Sequence, residues 1–310
     1  MIYTVTLNPA LDKTVRVPGF TVDAVNRIGE LRRDAGGKGI NVSKVIQKLG
    51  GTSEAVAVLA GDTGRWIAGA LRDAGIRVKA FDAEGETRTN LKVIDPVANT
   101  HTDINEPGPT VTDALLDEML DVLAEEVGAG DAVVLSGSLP AGVSPAAYGT
   151  WTRTLQAAGA RVYLDADGEA LAHGLEARPY FTKPNDHELS ALVGRELRSV
   201  DDVADAAREL VAGGVDRVVV SMGGEGAVFA TAGETWHAGS VKVPVGSTVG
   251  AGDSVVAALV YADAEGLSLE DTMRLAMATG AANVMQTGTQ AAERASVDAL
   301  LDRVELTRLA

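Results

Sequence analysis

Residues 113–140 read DALLDEMLDVLAEEVGAGDAVVLSGSLP, a helical segment near Asp113–Val127 that leads into the apolar strand Ala132–Leu135. The unit recurs twice. A helix near Ala146–Ala158 precedes Arg161–Leu164, and a helix near Val203–Val211 precedes Val218–Val220. Strands that are apolar throughout and alternate with helices predict a parallel sheet covered on both faces. Toward the N-terminus, Met1–Leu7 reads as a first strand and Ala55–Leu59 as a buried one. Helices are expected over Ile40–Leu49 and near Ala68–Ala74, and toward the C-terminus over about Ala251–Ala264, Asp271–Met285 and Val297–Val304. Thr14–Val17 reads as β, and Arg88–Ile94 with Thr100–Ile104 as a strand pair around the turn Asp95–Asn99. The expected fold is a doubly wound α/β domain, in which ligands bind beyond the carboxyl ends of the strands.

The 310 residues are 46% hydrophobic but only 4% aromatic, so Ala, Val and Leu must build the core. The formal net charge of −16 opposes binding of nucleic acid and of anionic membranes. A phosphate site in such a chain has to be a local basic cluster in a cleft. The absence of cysteine removes disulfides, thiolate metal sites and cysteine nucleophiles. No apolar run approaches the roughly 20 residues of a membrane helix, and the N-terminus lacks the features of a signal peptide, so a cytoplasmic location is expected.

Five segments carry candidate chemistry. Thr248-Val249-Gly250-Ala251-Gly252-Asp253-Ser254 opens an apolar helix, where glycines let consecutive N–H groups form an anion nest. Asp253 could accept the proton of an attacking hydroxyl, or simply cap the helix. In Gly36-Gly37-Lys38-Gly39-Ile40-Asn41, the glycines admit a ligand to the backbone, while Lys38 and Asn41 suit an anionic polyol. The same loop reads equally as a helix entry with a surface lysine. Asn8 and Asp12 follow the first strand and suit sugar hydroxyls or an Asx-turn. Asn185 and Glu188, spaced i, i+3 on an opening helix, suit Mg²⁺ held through water, or a capping box. Ser221-Met222-Gly223-Gly224-Glu225-Gly226 fits a nucleotide-phosphate turn or a hairpin. No P-loop string occurs, and Gly250-Ala251-Gly252 lacks the third glycine of a dinucleotide fingerprint.

In this order, the segments resemble the ribokinase-like PfkB carbohydrate kinases from end to end. Gly36-Gly37-Lys38-Gly39 with Asn41 matches the family's N-terminal signature, Val249–Asp253 its C-terminal signature, and Asn185 with Glu188 its magnesium-linked motif. Thr6–Asp12, Gly37–Val42 and Ser136–Pro140 are similar to the phosphosugar branch. The resemblance implies a ribokinase-like α/β/α sandwich, one kinase domain over residues 1–310. A β lid over about 13–35 and 86–106 would also serve a homodimer. It implies Asp253 as general base and Gly250, Ala251 and Gly252 as the anion hole. Asp12, Gly37 and Asn41 would bind sugar hydroxyls, and Lys38 and Arg88, with Asn90 and Ser138, the phosphate already on the sugar. Lys183, Asn185, Ser221, Gly223, Gly226 and Thr248 would line an ATP channel, with Asn283 near the adenine.

Lys38 and Arg88 are cations that a neutral sugar does not need, so a phosphorylated sugar is the expected substrate. The leading expectation is ATP-dependent phosphorylation of fructose 1-phosphate at its 6-hydroxyl, with Mg²⁺. Tagatose 6-phosphate or fructose 6-phosphate, phosphorylated at the 1-hydroxyl, is the alternative. A non-catalytic sugar-phosphate sensor on a kinase fold is the reading from a different class.

Overall fold

The computed structural model describes residues 1–286 and 288–309. The chain opens with β1 (Ile2–Thr6), β2 (Ala10–Arg16), β3 (Glu30–Gly36), α1 (Lys38–Leu49), β4 (Glu54–Leu59), α2 (Gly61–Asp73) and β5 (Arg77–Asp82). It continues through β6 (Thr89–Asp95), β7 (Thr100–Asn105), α3 (Asp113–Glu126), β8 (Ala132–Ser136), α4 (Ala147–Ala157), β9 (Arg161–Asp165) and α5 (Gly168–Glu176). There follow β10 (Phe181–Thr182), α6 (Asp186–Val193), α7 (Val200–Ala212), β11 (Arg217–Ser221), β12 (Ala227–Thr231) and β13 (Thr235–Ala238). The last elements are α8 (Ala251–Glu265), α9 (Leu269–Val284), α10 (Arg294–Asp298) and β14 (Leu306–Arg308).

A 10-stranded sheet runs in the order β14-β13-β12-β11-β10-β9-β8-β1-β4-β5. The seven strands from β11 to β5 are parallel, and β12, β13 and β14 extend the sheet antiparallel. Alternate residues of each central strand face opposite layers. Ile2, Val134 and Val219 join α1, α8 and α9 in one core, whereas Tyr3, Val5, Val133 and Leu135 join α3 and α4 in the other. Val42, Ile46, Val256 and Val260 are fully buried between α1, α8 and the sheet. Burying each such side chain contributes about 1.5–3 kcal/mol. Thr112, Ser199 and Ser268 accept N-cap hydrogen bonds from the first turns of α3, α7 and α9, which fixes where those helices begin.

The parallel alternation expected from the sequence is present, and at its edge the hairpin reading is the one formed. The glycine turn after Ser221 is a hairpin, with Val219 opposite Phe229, so the sheet ends in antiparallel strands. Several elements exceed the expected bounds. The helix expected near Ala68 begins at Gly61, and the short one expected at Val297–Val304 divides into α10 and a 3₁₀ turn at Leu301–Arg303. The strands β5, β10, β13 and β14 and the helix α5 are not anticipated by the sequence. Each is short or carries polar residues at every second position, which hides its periodicity.

A second, 4-stranded sheet has the order β3-β2-β6-β7. The strand expected from Thr14 starts at Ala10, so Asp12 stands on this small sheet opposite Asp34 and beside Asn90, rather than in a turn after β1. Asp12, Thr14, Asn90, Lys92, Asp103 and Asn105 share one face and, with Val249, Gly288 and Thr289, line a cavity of about 220 Å³. Val15, Val17 and Val93 pack on the other face. Among the described residues no helix is long and apolar enough to cross a membrane.

Gly39 lets α1 lie directly on β1: a Cβ there would fall 2.5 Å from Thr6 Oγ1 and 2.6 Å from the Val5 carbonyl oxygen. Gly39→Ala forces the helix off the strand. It is expected to destabilise the fold by about 1–3 kcal/mol in a thermal melt and, by displacing Asn41, to lower turnover on the order of tenfold or more. Unchanged melting and turnover would show that this approach is not constrained.

Candidate active site

Five adjacent parallel strands end on a common edge, and each delivers polar groups there. Asn8 follows β1, Ser136-Gly137-Ser138 end β8, Asp165 ends β9, Lys183 follows β10, and Ser221 ends β11. Over this edge stand the N-termini of α1 and α8, each begun by a glycine with positive φ. Gly37 has φ 116° and Gly250 φ 80°. A side chain at Gly37 would also fall 2.7 Å from Thr6 Cγ2, so both conformation and space require glycine there.

Asp253 is not the helix cap, because the N-cap of α8 is Gly250. The Asp253 side chain points back into the protein, 7% exposed, and Asn41 Nδ2 donates to its Oδ2 at 2.8 Å. Burial, then the charge of Asp165, pushes its pKa up to about 6 against the opposing effects of Asn41, Lys38 and Lys183. At neutral pH it is an ionised carboxylate with enhanced proton affinity, as a general base requires. The N–H groups of Gly252 and Asp253 lie in the first turn, where no intrahelical acceptor exists. The space beside Gly252 is taken by Lys183, whose Nζ would lie 3.2 Å from a Cβ at that position. Unpaired N–H groups and an ammonium therefore border one point, the arrangement that stabilises a phosphoryl group in transit.

Asp165 is the principal residue missed in the sequence. Its Oδ1 lies 3.4 Å from Lys183 Nζ and 3.6 Å from Lys38 Nζ, and its Oδ2 is buried without a hydrogen-bond partner. Its signal was the Leu164-Asp165 step at the carboxyl end of a recognised strand. Burial lowers the pKa of Lys38, but Asp165, Asp253, Asp167 and Glu188 outweigh it and hold the ammonium charged. Lys38 thus stands near the Asp253 carboxylate, between the two halves of the site.

On the small-sheet side, Asn90 Nδ2 donates to Asp12 Oδ1 at 3.1 Å, and burial raises the pKa of Asp12. Arg88 Nη2 donates to the Asn8 carbonyl at 3.0 Å, and Asn8 Nδ2 donates to Ser138 Oγ at 3.3 Å. Asp12, Asn90, Arg88 and Ser138 therefore form one polar wall, with Asn8 as an added member. The oxygens Asn8 Oδ1, Asn41 Oδ1 and Asn90 Oδ1 are buried without partners, acceptors that a ligand's hydroxyl groups can satisfy.

On the other side, Asn185 and Glu188 form a reciprocal capping box: the Glu188 N–H donates to Asn185 Oδ1, and the Asn185 N–H to Glu188 Oε2, both at 2.8 Å. The capping alternative is thus realised, and Glu188 retains its second carboxylate oxygen for other work. Among the described residues no group of three or more His, Cys, Asp or Glu is arranged to hold a metal ion. Ser221 bridges to Asn185 across the strand ends. Gly223 opens a 3₁₀ turn that closes at Gly226, where any side chain would overlap the Ala238 carbonyl. Thr248 is exposed at the mouth. Asn283 is buried in α9, and its Nδ2 approaches the Val249 carbonyl at 3.4 Å, bracing the loop before α8.

The family model for pfkB family carbohydrate kinases matches residues 5–295. The 1-phosphofructokinase of Rhodobacter capsulatus is 44% identical over 278 residues, 89% of this chain and 88% of that protein. That of Bacillus subtilis (strain 168) is 36% identical over 311 residues, 100% of both. Among solved structures, phosphofructokinase-2 from Escherichia coli in complex with fructose-6-phosphate superposes with a TM-score of 0.91 at 33% identity, over 97% of this chain and 98% of that one. The chain belongs to the PfkB family of carbohydrate kinases.

Because folding raises the Asp253 pKa from 3.8 to about 6, the folded state holds a proton that the unfolded state has released between those values. The cost is fully present above about pH 6 and is relieved as pH falls toward 3.8. If Asp253 acts as a general base, Asp253→Asn is expected to lower kcat by on the order of 10³-fold or more. It should also raise unfolding free energy at pH 7.5 by about 2–3 kcal/mol. Denaturant titration and a coupled assay check both; a mutant that turns over normally would remove Asp253 from the chemistry. In the wild type, kcat/KM should fall tenfold per pH unit below an apparent pKa near 6.

Proposed function

We propose that this PfkB-family kinase transfers the γ-phosphoryl group of ATP to the 6-hydroxyl of fructose 1-phosphate, yielding ADP and fructose 1,6-bisphosphate. The observation that carries the reading is the buried Asp253 carboxylate, oriented by Asn41 beside the unpaired N–H groups of the α8 N-terminus. A sugar-phosphate sensor needs no such base. The name borne by the relatives at 44% and 36% identity supports this sugar.

In this reading Asp253 accepts the proton of the 6-hydroxyl as its oxygen bonds to the γ-phosphorus, and the bond to the β–γ bridging oxygen breaks. Gly250, Ala251 and Gly252 form the anion hole, and Lys183 adds positive charge beside Gly252. Asp12, Gly37 and the free Oδ1 of Asn41 receive the sugar hydroxyls, with Asn90 holding Asp12 in place. Arg88 and Ser138 bind the phosphate already on the sugar. Lys38, among the carboxylates of Asp165 and Asp253, contributes charge between that phosphate and the one in transit. Asn185, Ser221, Gly223, Gly226, Thr248 and Asn283 line the nucleotide channel.

Mg²⁺ would arrive with the nucleotide, since the described residues form no cage of their own. The unpartnered Asp165 Oδ2 and the second oxygen of Glu188 fit a hydrated ion, with Asn185 adjacent. The ion would neutralise phosphate charge.

The 4-stranded sheet acts as a lid on the sugar. Its outer face exposes Leu31 (44%) and Ile104 (54%), a surface that pairing in a homodimer would bury. Gel filtration is expected to give a dimer that Leu31→Asp shifts toward monomer; a wild-type monomer at working concentration would oppose lid pairing.

The second reading, with fructose 6-phosphate or tagatose 6-phosphate as substrate, has support in the neighbour solved with fructose-6-phosphate. Side-by-side kcat/KM values for the three sugars discriminate. Fructose 1-phosphate is expected to lead, and a clear preference for either 6-phosphate would reverse the assignment. Arg88→Ala is expected to raise KM for the sugar phosphate on the order of 10–100-fold, the loss of a charge-assisted contact, with little change in KM for ATP.

A further inference from the structure

Helix α1 carries Lys38, Asn41 and Lys44 at successive i, i+3 positions, which places them along one face. The first approaches Asp165, and the second holds Asp253. Lys44 has no place in the chemistry above. Its Nζ turns inward and donates to the carbonyl oxygens of Ala35 at 3.0 Å and of Thr289 at 2.8 Å. Ala35 stands at the root of the lid, next to Gly36, whose Cα hydrogens face the Asp12 carboxylate so closely that a side chain there would overlap it. Thr289 lies in the loop after α9 that closes the lid-side cavity together with Val249, the residue preceding the anion hole.

We propose that Lys44 is a positioning residue: its ammonium pins the lid root and the 288–290 loop to the helix that orients Asp253, so the sugar-binding wall and the reacting carboxylate are held in one frame. An aliphatic side chain could fill the space, but it has no donor for either of the two carbonyls, which come from different parts of the chain. Burial lowers the Lys44 pKa, yet Asp34 and Asp12 on the lid and Asp253 on α8 oppose this, with Arg32 acting against them. The ammonium thus supplies positive charge to the lid-side carboxylates as well as donors. The position explains a division of labour along α1, in which one helix serves the phosphates, the base and the lid in turn.

The kinetic arm of the test rests on the proposed sugar-phosphate site; the structural arm does not. Lys44→Met keeps an unbranched stem and removes the terminal ammonium with its charge and donors, while Lys44→Arg keeps both. Lys44→Met is expected to raise KM for fructose 1-phosphate at least tenfold, leaving KM for ATP within about twofold, and Lys44→Arg to recover most of the loss. Without any ligand, Lys44→Met should speed hydrogen exchange at the amides of residues 30–36 and 288–290, with residues 217–231 unchanged. Equal rises in both KM values, no recovery by arginine, or unaltered exchange at the lid root would each overturn the proposal. If the wild type does not phosphorylate fructose 1-phosphate, the substrate assignment falls, and the exchange comparison alone decides Lys44.

Discussion

The hydrogen bond from Asn41 to Asp253 joins residues 212 positions apart, and the arrangement of the site depends on it. It couples the N-terminus of α1 to that of α8, two helices packed on the same face of the sheet through Val42, Val45, Val256 and Val260. A carboxylate buried to this degree is costly unless it is hydrogen-bonded and near positive charge. Asn41 supplies the bond, and Lys38 and Lys183 the charge. The residual cost remains as a raised pKa, which is what gives the group its affinity for a proton.

Charge organisation follows from the same constraint. The chain carries a net charge of −16, and a phosphorylated sugar and a nucleotide must nevertheless meet within it. Lys38 and Lys183 converge on Asp165, while Arg88 is tied to the Asn8 carbonyl. Bulk acidity acts through screened solvent, whereas these cations act over a few ångströms in a cleft of low dielectric. The local field at this edge is therefore set by the cluster and not by the net charge. Both lysines pair with Asp165 and also act through space on Asp253, where they offset part of the cost of burying its charge.

Parallel topology makes this convergence possible. Strands β1, β8, β9, β10 and β11 lie side by side, and their carboxyl ends share one edge. Residues far apart in sequence, Asn8, Ser138, Asp165, Lys183 and Ser221, become neighbours without any local motif linking them. The antiparallel extension beyond β11 has a separate consequence. The hairpin turn at Gly223–Gly226 remains at the same edge as the parallel strand ends, beside the Asn185 capping box.

The sequence by itself determined the alternation of apolar strands and helices, hence the sheet, because burial on both faces leaves a continuous apolar run. It also determined the two glycine-led helix starts, since Gly37 and Gly250 adopt backbone conformations that side chains disfavour. Local residue types could not settle whether Asp253 was a cap or a base, or whether Asn185 and Glu188 capped a helix. Both choices depend on what stands opposite, and the tertiary structure gave Asp253 a partner in Asn41 while giving Asn185 and Glu188 each other. Asp165 and Lys44 were visible only as ordinary residues in a strand end and a helix. Their roles arise from partners at Lys183 and Thr289, contacts that no periodicity encodes and that exist only once the sheet edge, the lid and the helix ends are assembled.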